Sequence, residues 1–278
     1  MKLAGAIVGQ GAGPAEQAID SRWLMAYSAA LGETDGRYYD TTAPQGVLAH
    51  PLFPVCYEWP LAQPLRSLPG LQPLYPRLLH AQHDLALHRP LRAGDVLQVA
   101  GRILAVQQRR PGAFVVFRFE ARDASGAPVS TTDFGALYRG VRVDEPQGEG
   151  MAEPPAHGGP LADLGSIRVA ATAAHTYSEC ARIWNPIHTD IAYARAAGLP
   201  GLILHGTATL ALSVSRVLRA LEADAAKVRR VRCRFAGMVP MPATLTVHGA
   251  RSGKEEEVFF ETRNERGEPV ITRGSISL

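Results

Sequence analysis

The sequence predicts an α+β fold built twice, each half holding a helical segment followed by about four antiparallel strands. Two observations predict it. Strand-like runs separated by turn residues fill the later part of each half. The halves also match at an offset of about 150 residues, the mark of a duplicated unit. Tyr27-Ser28 returns as Tyr177-Ser178, and Pro90 and Ala93 return as Pro240 and Ala243. Gly126-Ala127-Pro128-Val129 returns as Gly267-Glu268-Pro269-Val270, with a few residues lost in the second copy. In such a unit a sheet curls round one long helix, and two units can join their sheets edge to edge, which covers exposed strand edges.

In chain order, Ile19 to Leu31 has helical spacing: Ile19, Trp23, Ala26-Tyr27 and Ala30 share a face, Asp20 or Ser21 caps the start, and Gly32 ends it. Residues 37–69 are rich in Pro, Gly and Tyr, with an apolar island at Leu52-Phe53-Pro54-Val55-Cys56-Tyr57. Strands are expected at Leu78–Leu87, Val96–Val106, Phe114–Arg122 and Val129–Tyr138, with turns at residues 92–95, 110–112 and 123–126. Residues 144–159 (Glu, Pro, Gly, Gln and Ala) read as a linker between a first unit, 1–143, and a second, 160–278. After it, Ile167–Thr172 reads as a strand and Thr207–Leu221 as a helix, with Leu210, Val214, Val217-Leu218 and Leu221 on one stripe. Strands then follow at Val228–Phe235, Ala243–Gly249, Val258–Arg263 and Pro269–Ser277.

Composition removes several classes of function. The 278 residues carry a net charge of only +3, with arginines spread along the chain. The dense cluster Arg229-Arg230-Val231-Arg232-Cys233-Arg234 alternates, so it reads as a strand with one solvated face, a phosphate-binding patch being the other reading. No nucleic-acid partner is expected. Cys56, Cys180 and Cys233 are odd in number and far apart, which argues against a disulfide framework or zinc site and for a reducing compartment. His80, His83 and His88 lack carboxylate or Cys partners for a metal. The first 18 residues are too polar for a signal peptide, and no run of about 18 apolar residues spans a bilayer, so no membrane partner and a cytoplasmic location are expected.

The stretch Tyr177 to Asp190, followed by Gly201-Leu202-Ile203-Leu204-His205-Gly206, organises the rest. It reads as a strand end, a polar Asn185-Pro186-Ile187-His188 turn, and a His-Gly step that opens the apolar helix. A His near an Asn, beside a helix N-terminus with free backbone N–H groups, can polarise a carbonyl and handle a proton. The other reading is a turn with a buried His.

These motifs resemble the MaoC-like family, the (R)-specific enoyl-CoA hydratases and acyl dehydratases. Residues 49–54, 78–82 and 88–91 are similar to the degenerate unit of its two-unit hydratase 2 type. Asn185-Pro186-Ile187-His188, the small residues 192–198 and Ile203-Leu204-His205-Gly206 are similar to its catalytic unit. The resemblance implies a tandem (double) hot-dog fold, a possible homodimer, and a hydro-lyase acting on an acyl thioester of CoA or acyl carrier protein, with no cofactor and no metal. The family's Ser-Gly-Asp-x signature stands here as Ala181-Arg182-Ile183-Trp184, so Ile183 replaces the catalytic carboxylate.

By that resemblance His188 is the general base or acid, Asn185 its orienter or a water holder, and Gly206 the oxyanion donor. Ile183 can neither take a proton nor hold water. Three compensations are open: Glu179 swinging in, Arg182 polarising the carbonyl or holding a substrate carboxylate, and Glu58 or Tyr57 lining the far side. Trp184 covers an acyl chain or packs in the core, and Asp190 is a cap or a His-orienting group. Isomerisation or cyclisation of a thioester-bound intermediate in a dried site, and a non-catalytic thioester binder, are the alternatives.

Overall fold

The computed structural model describes residues 1–252 and 257–278. Among them one ten-stranded antiparallel sheet runs through both halves. The first unit supplies β2 (Gly11–Ala18), β3 (Leu78–Leu87), β4 (Val96–Arg109), β5 (Gly112–Arg122) and β6 (Pro128–Arg139). The second supplies β8 (Ala162–Val169), β9 (Arg230–Phe235), β10 (Ala243–Arg251), β11 (Glu257–Arg263) and β12 (Pro269–Ser277). The order β2-β4-β5-β6-β3-β9-β12-β11-β10-β8 reads the same from either edge, each strand opposite its copy. β3 and β9 form the seam, with His83 opposite Cys233 and Leu85 opposite Val231. The architecture is therefore the expected α+β tandem, joined edge to edge. Two short strands, β1 (Lys2–Leu3) and β7 (Arg142–Val143), pair separately.

Each unit wraps its sheet round a helix. In the second unit this is α5 (Gly206–Ala220), whose Leu210, Ala211, Val214 and Val217 are buried as the stripe requires. In the first unit it is α2 (Pro54–Arg66), in a region the sequence marks as irregular because of its prolines. Pro54 suits the first helical turn, whereas Pro60 and Pro64 each remove an internal hydrogen bond. Burial on two faces outweighs that loss. Leu61 and Leu65 pack on the sheet so closely that a Cβ at Gly101 would lie 2.9 Å from Leu65 Cδ1. The core is continuous through both units, and Phe117→Ala on β5, where the ring is 1 % exposed, is expected to cost about 3–5 kcal/mol in denaturant titrations.

The helices α1 (Ser21–Ala30) and α3 (Ala173–Ala181) pack on each other near the pseudo-twofold axis, and the Tyr27 and Tyr177 hydroxyls meet there at 3.5 Å. Asp20 caps α1 by accepting from the Trp23 N–H at 2.7 Å. α3 corrects the expected strand end before the Asn-Pro-x-His turn: Tyr177 and Ser178 are helical, and the strand read at 167–172 lies earlier, at β8. The segment between β7 and β8 is fastened to the sheet. Gln82 donates to the Ala152 carbonyl at 2.6 Å, and Glu153 lies 3.3 Å from Arg234 and 3.8 Å from Arg109. The basic cluster is likewise committed to pairing: on β9, Arg230 meets Asp84 at 2.7 Å and Arg232 meets Glu257. No helix among the described residues is long and apolar enough to cross a membrane.

Candidate active site

α3 ends in Arg182, whose φ of 57° is the left-handed conformation that the equivalent Gly32 adopts after α1 with φ 68°. This turn drops Ile183 into the interior, where it is 4 % exposed. Asn185 then caps a single 3-10 turn, Pro186–His188, by accepting from the Ile187 N–H at 3.5 Å. Asp190 caps α4 (Ile191–Ala196) through the Ala192 and Tyr193 N–H groups, at 2.8 and 3.2 Å. It acts as a helix cap.

The turn holds the His188 ring against the segment that leads into α5. His188 Nδ1 lies 2.9 Å from the Ile203 carbonyl, which can only accept, so Nδ1 carries the proton and Nε2 keeps its lone pair. The ring stacks on His205 with centroids 3.7 Å apart. His205 in turn meets Ser178 Oγ through Nε2 at 3.2 Å. Burial, aided by the Arg66 charge, pushes the His188 pKa down to about 4, and burial beside His188 holds His205 well below its usual range. Both imidazoles are neutral at pH 7. Gly206 opens α5, and among the described residues no acceptor meets its N–H.

His188, Asn185, Ile183 and Gly206 line one cavity of about 1340 Å³. Its walls come from both units, with Trp59, Phe119, Phe134 and Phe235 among the aromatic residues. Val55, Glu58, Trp59, Ala62 and Arg66 are the stripe that α2 turns towards it. Glu58 is 5 % exposed and its Oε1 accepts from Thr132 Oγ1 at 2.6 Å. Burial pushes its pKa up to about 8 against that bond, so at neutral pH it is a carboxylic acid.

The other three compensating candidates and Trp184 lie off the cavity. Arg182 is exposed, with its guanidinium 4.0 Å from the centre of the Trp23 ring and 4.0 Å from Asp20. Glu179 is exposed on α3, and Tyr57 turns its hydroxyl to Ser130 Oγ at 2.6 Å. Trp184 is 57 % exposed, which corrects its placing in the core. Arg66, His80 and His83 join the cavity unforeseen, because only the folded α2 and β3 bring them to it.

A wrapped helix in each half of one continuous sheet, with an imidazole and a helix N-terminus facing a shared cavity, defines a double hot-dog protein. Residues 156–273 match the MaoC like domain and residues 6–132 match the FAS1-like dehydratase domain region. The chain thus carries a MaoC-like dehydratase domain in its second half and a FAS1-like dehydratase region in its first. It is 26 % identical over 228 residues to the peroxisomal multifunctional enzyme type 2 of Mus musculus, covering 77 % of this chain and 29 % of that relative. It is 39 % identical over 71 residues to the enoyl-CoA hydratase ChsH3 of Mycobacterium tuberculosis, covering 25 % of each. The matched region spans less than a third of the length of these two curated relatives. A crystal structure of a MaoC-like dehydratase from Phytophthora capsici superposes with a TM-score of 0.84 at 20 % identity, over 98 % of this chain and 96 % of that one.

Proposed function

We propose that the protein is a hydro-lyase that adds water to, or removes it from, a 2-enoyl or (R)-3-hydroxyacyl thioester. The observation that carries this reading is the convergence of His188 and the Gly206 N–H on one cavity that also holds the buried carboxyl of Glu58. Similarity to relatives named as a multifunctional enzyme and an enoyl-CoA hydratase supports the substrate class.

In the hydration direction, His188 Nε2 takes a proton from a water whose oxygen bonds to C3 of the enoyl group. The C2–C3 π electrons move into the thioester, and the Gly206 N–H at the positive end of α5 stabilises the enolate oxygen. C2 then takes the proton of the Glu58 carboxyl, and the proton on His188 returns to Glu58 through solvent, so one water is added in all. Asn185 uses its carbonyl for the Ile187 N–H and keeps its amide N–H groups for the water. Glu58 thereby stands in for the carboxyl lost at Ile183.

The test is turnover of a panel of 2-enoyl-CoA and (R)-3-hydroxyacyl-CoA thioesters by the purified chain. Loss or gain of the enoyl absorbance is the expected result. Binding without turnover of either series overturns the reading and leaves a thioester binder.

A further inference from the structure

Arg66 ends α2 inside the cavity and is only 7 % exposed. Among the described residues no carboxylate pairs with its guanidinium, which lies 5.0 Å from the Trp59 ring centre and 4.9 Å from that of Phe134. Tyr75 and Tyr138 are the phenols beside it. His80 stacks on the same Phe134 ring at 3.7 Å and His83 lies 5.4 Å from His80, both lining the same cavity. His80 Nε2 and both ring nitrogens of His83 are buried without a partner. Burial keeps these imidazoles neutral, the His83 pKa being pushed down to about 4. The acid that shares the stripe, Glu58, lies about two helical turns away and is protonated at neutral pH, so it supplies no counter-charge.

A guanidinium keeps its charge even when buried, and a buried charge without a counter-ion is unfavourable. A ligand that brings the anion relieves that cost, and the spare imidazole nitrogens can share its oxygens. The pantetheine handle of CoA or carrier protein offers phosphate, but many bonds away from the thioester. Arg66 is buried in the wall of the cavity that His188 also lines, whereas Arg77 and Arg139 line it and are exposed, as phosphate-binding groups would be.

We propose that Arg66, with His80 and His83, receives a carboxylate carried by the acyl chain, so that the preferred substrate is the half-thioester of an unsaturated dicarboxylic acid. This rests on the thioester reading of the cavity. A cation–carboxylate hydrogen bond in a desolvated pocket discriminates against a neutral chain by about 10- to 100-fold.

The experiment compares kcat/KM for glutaconyl-CoA and 2-pentenoyl-CoA, and for the same acyl groups on N-acetylcysteamine, which lacks phosphate. Wild type is expected to favour the carboxylated chain on both handles. R66M is expected to bring the ratio to about one, and R66K to restore part of it. A wild-type preference for 2-pentenoyl, or no preference, overturns the proposal. So does an R66M loss that is equal for both acyl groups on CoA and missing on N-acetylcysteamine, which would make Arg66 a phosphate ligand. Should R66M fail to fold, as its thermal melt would show, the wild-type ratio on N-acetylcysteamine still decides. Should no thioester turn over, the reading of the reaction fails separately, and titration with glutaryl-CoA against pentanoyl-CoA decides the carboxylate site by the same ratio.

Discussion

Glu58→Gln and His188→Ala are each expected to lower kcat by about 10²- to 10⁴-fold while leaving the chain folded. If the two groups serve one proton circuit, the double variant falls little below the worse single variant. The pH profile separates their parts. Base catalysis by His188 needs the neutral ring, so with its pKa near 4 the rate falls only in strong acid. Acid catalysis by Glu58 needs the protonated carboxyl, so with its pKa near 8 the rate falls above about pH 8. Glu58→Gln has no proton to lose, and its lower rate is expected to show no alkaline limb in kcat/KM between pH 5 and 10. A wild-type rate in Glu58→Gln would remove Glu58 from the mechanism and leave His188 without a carboxyl partner.

The same group links pH to stability. In the unfolded chain Glu58 ionises near the usual glutamate value of 4.5, while in the fold it holds its proton to about 8. Between those values the folded state binds more protons, so this group's contribution is fully present below the lower value and is lost as pH rises to the upper one. Urea midpoints across that window are expected to fall more steeply in wild type than in Glu58→Gln.

What could be read from the sequence was local or periodic. Asn185-Pro186-Ile187-His188 and His205-Gly206 carry turn and helix-start chemistry in a few consecutive residues, and the structure brings both segments to one cavity. The repeat of Tyr27-Ser28 as Tyr177-Ser178 marked a duplicated unit, and in the structure the two hydroxyls meet. Other features had no such signal. β2 (Gly-Ala-Gly-Pro-Ala-Glu-Gln-Ala) has almost no β-formers and exists through pairing with β4. α2 was hidden by its prolines, and with it the stripe that carries Glu58 and Arg66. Their part depends on which face of that helix meets a cavity shared with the other unit, and no single stretch of sequence holds that information.

Ile183→Asp separates two ways in which a cavity with Ile183 beside His188 can work. Ile183 is 4 % exposed and lines the cavity with His188, so an Asp there meets the same water as the imidazole. If Glu58 has taken over the lost function, Ile183→Asp is expected to change wild-type hydration of crotonyl-CoA by less than about tenfold. In the Glu58→Gln background it is expected to restore about 10²-fold or more. If Ile183 instead keeps the site dry for isomerisation or cyclisation, the same substitution in wild type adds a hydration activity that was missing, and Glu58→Gln makes no difference to it. Burying a new carboxyl costs stability unless water or His188 solvates it, so each variant is compared at a temperature where its melting curve shows it folded. The order of the four rates, from wild type, the two single variants and the double variant, then assigns the proton to residue 58 or excludes it.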